Sequence, residues 1–152
     1  MGTRQPNYER GSQWTNYKYM TAPCGLDCFN CQMYLAAENE ELRTVIAKFM
    51  NLPYDKAVCR GCRGEKGTPV VKGLAGTCDI YQCAESKGIS FCSDCSNFPC
   101  DKLHPLADEA AKRIHNIKVF NLSLIRKMGL EAWAKDKAKS VRDTYFTGKF
   151  KL

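Results

Sequence analysis

The sequence predicts a small, metal-stabilised α+β domain, in which a cysteine-rich zinc-knuckle module, ribbon or treble-clef-like, packs against a helical C-terminal part. Three observations predict it. All ten cysteines lie between Cys24 and Cys100. They fall in four tight groups, three of them containing C-x2-C. After Pro105 the pattern changes to longer helical periodicities.

The cysteines form four groups: Cys24, Cys28 and Cys31; Cys59 and Cys62; Cys78 and Cys83; Cys92, Cys95 and Cys100. Three groups contain C-x2-C, the shortest common way to present two thiolates to one ion. Asn30, Gly61 and Asp94 precede the second cysteine of each pair, and these residue types tolerate the backbone angles of a tight turn. The grouping marks all ten thiols as candidate metal ligands, because scattered buried cysteines would not cluster in this way. Ten thiols supply two four-thiolate zinc sites with two left over. Spacing leaves the partition open: Cys59 and Cys62 pair either with Cys78 and Cys83 or with Cys92 and Cys95. His104 is a reserve ligand in C-x3-H spacing from Cys100 and is read as a surface residue, and His115 as a surface or packing residue.

Residues 1–19 read as a polar, flexible tail, and residues 20–152 as one domain, divided into a metal-binding part at 20–104 and a helical part at 105–147. A helix is expected from Cys31, with Leu42, Val45, Ile46 and Phe49 along one face and Asn51 and Pro53 as its stop. The run GEKGTPVVKGLAGT, with four glycines, reads as a small hairpin or loop. Asp79 to Lys87 suits a short helix ended by Gly88, and Ile89 to Phe91 an extended piece. Leu106, Ala110, Ile114 and Ile117 form a helical stripe. Asn121 is expected to cap Leu122–Met128, with Gly129 ending that helix and a last one running from Leu130 to about Tyr145, anchored by Trp133.

The formal charge is +7, which two four-thiolate zinc sites, each −2, reduce to +3. Residues 101–152 hold 12 Lys and Arg against 6 Asp and Glu, so the surplus lies in the cysteine-free half. No stretch approaches the roughly 20 apolar residues that cross a bilayer, and the opening residues lack a signal-peptide core, so a cytoplasmic protein without membrane contact is expected. A reducing compartment favours metal-bound thiols over disulfides.

The runs Cys24-Gly-Leu-Asp-Cys28-Phe-Asn-Cys31-Gln-Met-Tyr34-Leu35-Ala36, Cys59-Arg-Gly-Cys62 and Phe91-Cys92-Ser-Asp-Cys95-Ser-Asn-Phe98-Pro99-Cys100 resemble the domain-of-unknown-function family numbered 3795. The resemblance covers about Ala22 to Leu106 and continues weakly over Asn121 to Trp133. It implies a zinc-binding bacterial or archaeal protein and supplies no activity.

The function expected is therefore a binding or interaction module whose metal is structural. An iron–sulfur electron carrier is the first alternative. A nucleic-acid-binding module is the second, using Lys112, Arg113, Lys118, Arg126, Lys127, Lys135, Lys137, Lys139 and Arg142. The partner is a protein or a nucleic acid. Cys24-x3-Cys28-x2-Cys31 has the spacing of radical S-adenosylmethionine enzymes, but the chain lacks the strand–helix alternation of their barrel. The absence of a nucleophile elbow, a phosphate loop or a framed carboxylate pair argues against an enzyme.

Overall fold

The computed structural model describes residues 16–69 and 75–152. The helices are α1 (Gln32–Leu35), α2 (Glu40–Met50), α3 (Gly61–Gly64), α4 (Asp79–Ser86), α5 (Lys118–Met128), α6 (Leu130–Asp136) and α7 (Ala138–Thr147), joined by short 3-10 turns. Among the described residues there is no sheet, and the one isolated β-bridge pairs Thr21 with Asp27. The expected α+β ribbon or treble-clef fold is therefore replaced by a mostly helical one without a sheet among the described residues. The C-x2-C turns that were to bracket hairpins instead open into single helical turns: Cys28–Asn30 and Cys92–Asp94 are 3-10, and Cys62 lies in α3. The predicted hairpin has its centre at residues 70–74, outside the described residues. So is the predicted tail up to residue 15.

Helix α2 begins where Asn39 caps it, its side chain accepting from the Leu42 N–H at 2.9 Å, and ends at Asn51 in the left-handed conformation. Its expected apolar face is only partly buried. Ile46 packs with Ala36 and Ala57 in a small cluster, whereas Val45 and Phe49 face solvent. Arg43 donates to the carbonyls of Tyr54 and Asp55 and lies over the Tyr54 ring, so it fastens the following loop rather than merely meeting water.

Helix α4 and its terminus at Gly88 agree with expectation. The Leu106–Ile117 stripe does not form one helix. Glu109 takes a left-handed φ of 52° that interrupts it, and only Ile114–Ile117 is regular, as a 3-10 turn leading into α5. Asn121 is no cap but a buried residue inside α5: its amide donates to the Gly25 carbonyl at 2.9 Å and its oxygen accepts from the Trp133 indole at 3.3 Å. Gly129 ends α5 as predicted. The last helix is broken at Lys137 into α6 and α7.

Two cores carry the molecule. The first joins Ala22, Cys24, Cys28, Ile80, Phe91 and Leu103 to Leu122 of α5, with Cys62, Cys78, Cys92 and Cys100 packed against it. The second is built on Trp133, Ile125, Ala134 and Ala138. Phe29 reaches it from the first cysteine loop and meets the Trp133 ring edge-on at 5.9 Å, so the cysteine-rich and helical parts interlock. At Gly25 the backbone has φ +87° and a Cβ would stand 2.9 Å from Leu122, so α5 can press onto this loop only because no side chain intervenes.

Candidate metal centre

All ten cysteines are free thiols. Four of them, Cys83, Cys92, Cys95 and Cys100, line one small cavity of about 20 Å³ with Ile80 and Leu103. They arrive from three elements: Cys83 sits near the end of α4, Cys92 opens the 3-10 turn Cys92–Asp94, and Cys95 and Cys100 follow it. That turn is held by the Asp94 carboxylate, which accepts from the Phe91 N–H at 2.9 Å. Neither expected pairing of Cys59 and Cys62 has this composition. Sequence spacing linked Cys78 with Cys83, but α4 begins between them and carries Cys83 toward Cys92, Cys95 and Cys100.

The electrostatics divide the four thiols. Burial, reinforced by the neighbouring Cys24, Cys100, Cys83 and Cys95, pushes the Cys92 thiol up to about 12. Cys95 is pulled the other way, first by the backbone N–H of Asn97 and then by the Lys87 ammonium, 3.2 Å from its sulfur. The same contact raises Lys87 above its ordinary value. Lys87 is a contributor that sequence reasoning missed. Its position one residue before the helix-ending Gly88 was the available signal.

Around Cys24 lies the other group. Cys24, Cys28, Cys62 and Cys78 share the first core. Burial raises the Cys24 thiol, an effect that Lys118 and a hydrogen bond from the Leu26 N–H oppose and that Cys28 and Cys78 reinforce. The buried Cys59 accepts from the Gly61 N–H at 3.4 Å, and Cys31 lies partly exposed. A local regularity emerges: at Cys24, Cys59 and Cys95 the N–H two residues on points to the sulfur. Such bonds favour the thiolate over the thiol. Of the three residues expected to adopt unusual angles, only Gly61 has a positive φ, 79°, and Asn30 and Asp94 act through side-chain hydrogen bonds instead.

Two arginines brace these loops. Arg63 donates to the carbonyls of Thr21 and Ser90 and lies over the Phe91 ring, tying the first loop to the last. Arg142 of α7 forks onto the buried Asp27 at 2.7 and 3.0 Å. Burial disfavours the Arg142 charge, but Asp27 more than offsets this and holds the guanidinium above its usual range.

The donor chemistry suits a thiophilic ion. In their present arrangement, however, no group of three or more His, Cys, Asp or Glu side chains among the described residues forms a metal-holding set. His104 is exposed, and the His115 ring is engaged with the Leu106 carbonyl at 3.0 Å. Of the basic residues in the C-terminal half, Arg113, Lys135, Lys139 and Arg142 are committed to ion pairs with Glu109, Glu131, Asp143 and Asp27. No helix among the described residues is long and apolar enough to cross a membrane.

The family model described as "Protein of unknown function (DUF3795)" matches residues 20–105, the span that holds every cysteine. No curated protein and no solved structure matches the chain.

Proposed function

The chain belongs to the DUF3795 family, and we propose that it is a binding module whose cysteine-rich part is closed by structural zinc, one ion being held by Cys83, Cys92, Cys95 and Cys100. The observation that carries this reading is that Cys83, from one group, and Cys92, Cys95 and Cys100, from another, line one cavity of about 20 Å³. A space of that size admits roughly one water-sized sphere, which suits a single ion better than a four-iron cluster. A second ion draws its ligands from the remaining six thiols, of which Cys24, Cys28, Cys62 and Cys78 share a core.

Ion binding draws the sulfurs inward and deprotonates them, Cys92 included, so loading is coupled to ordering of the loops and to proton release. Zinc would supply a cross-link and neutralise thiolate charge, with no redox chemistry of its own.

The test is metal and acid-labile sulfide content of anaerobically purified protein, with a visible spectrum of the same sample. About two zinc ions per chain, no sulfide and no colour are expected. Iron with stoichiometric sulfide and a brown chromophore would replace this reading with electron transfer. A Cys83→Ser variant that keeps its full metal content would remove Cys83 from the ligand set.

A further inference from the structure

A groove of about 570 Å³ runs between the start of α5 and α7, away from the thiols. Its volume falls within the range of small-molecule sites. Ile117, Phe120, Leu124 and Val141 supply an apolar lining. Phe120 forms part of it while 57% exposed, more than an aromatic ring with a place in a core would be.

The two walls run in opposite directions. Tyr145, near the end of α7, donates to the Ala110 carbonyl at 2.6 Å, which sets it beside the 3-10 turn that precedes α5. Lys137, at the other end of α7, therefore falls toward Leu124. The groove wall from Asn116 to Leu124 is about 12 Å long at the helical rise. That is the length of a medium-chain acyl group.

Most polar groups along the groove are already occupied. Asn116 both donates to and accepts from the Leu106 backbone. The Ser140 hydroxyl donates to the Lys137 carbonyl. Lys137 is different. Its neighbours Lys135 and Lys139 are each paired four residues away, with Glu131 and Asp143, whereas among the described residues Lys137 has no ion-pair partner. One apolar trough thus ends at one uncompensated cation.

We infer that this groove binds a small amphipathic carboxylate, its apolar body against Phe120, Leu124 and Val141 and its anionic head at Lys137. The single cation and short trough fit one such molecule better than an extended peptide, which would lay several side chains beyond both ends. The inference is independent of the metal reading, since no groove residue is a thiol.

The experiment uses the full chain as purified, with 1-anilinonaphthalene-8-sulfonate fluorescence reporting occupancy and decanoate as competitor. Decanol and decyltrimethylammonium, matched in chain and altered in head, serve as controls. Saturable displacement by decanoate at a single site is expected, with backbone amide shifts confined to residues 116–124 and 137–145. Lys137→Glu should weaken decanoate about tenfold, as loss of a charge-assisted hydrogen bond does, and leave decanol unchanged. Phe120→Ala should weaken both. Equal decanoate affinity in Lys137→Glu, or decanol binding as tightly as decanoate to the unaltered chain, overturns the inference. So does a shift map centred elsewhere, or a failure of decanoate to saturate.

Discussion

The cysteine-rich part and the helical part bury different kinds of side chain. Among the largest fully buried residues, α5 and α6 contribute Leu122, Asn121 and Trp133, while the cysteine-rich part contributes Thr21, Asp27 and Cys59. The helical part thus holds itself together by ordinary apolar burial around an indole. The cysteine-rich part buries Ile80, Phe91 and Leu103 among alanines and thiols, and its backbone carbonyls are fastened by Arg43 and Arg63. The two parts therefore obtain their stability from different sources. A core in which Cys24, Cys28, Cys62, Cys78, Cys92 and Cys100 all take places gains most from cross-links, and these thiols are the groups able to form them.

If zinc closes the cysteine-rich part as proposed, the contrast breaks most severely on metal removal. Structural zinc contributes on the order of 10 kcal/mol or more, so chelation under reducing conditions should abolish hydrogen-exchange protection from α4 to Leu103. Helices α6 and α7 should keep most of theirs; equal loss in both would show one stability shared by the whole chain. Trp133→Ala reverses the test. It should cost about 3–5 kcal/mol in denaturant unfolding while leaving zinc stoichiometry intact.

The join between the parts comes next. Asp27→Asn leaves the half-buried Arg142 without its carboxylate and should cost about 3 kcal/mol, measured by the denaturant midpoint at unchanged m-value. Replacing both residues together, Asp27→Asn with Arg142→Met, should recover part of that loss. The smallest effect separates thiols within one cavity. In metal-stripped, reduced protein at neutral pH, iodoacetamide should modify Cys95 well before Cys92, because Cys95 is lowered and Cys92 stands at about 12. Lys87→Ala raises the Cys95 thiol toward its ordinary value, reduces its thiolate fraction and should slow that modification a few-fold.

Local signals were legible in the sequence and nonlocal ones were not. Asn51 stopped α2, Gly88 followed α4 and Gly129 ended α5, each because a residue suited to a helix terminus stood there. The four cysteine groups were equally plain. The α+β fold class failed because C-x2-C was read as the turn of a ribbon, whereas spacing that short also fits one helical turn. Asn121 looked like a cap because caps are local; its actual partners, Gly25 and Trp133, lie 96 and 12 residues away. The company Cys83 keeps depends on the direction of α4, which no spacing rule encodes. Lys137 appeared as one of many lysines, and only its unpaired position beside the groove distinguishes it.

The bond between Asp27 and Arg142 spans 115 residues, and this has a consequence during biosynthesis. At about 5–20 residues per second, the first cysteine loop is synthesised roughly 6 to 23 s before the arginine that braces it. Asn121, which fastens the same loop at Gly25, also arrives late. Nascent chains therefore present Cys24, Cys28 and Cys31 to the surrounding metal and thiol pools without their final supports. The order of translation makes these three the first thiols open to capture by an ion or an oxidant.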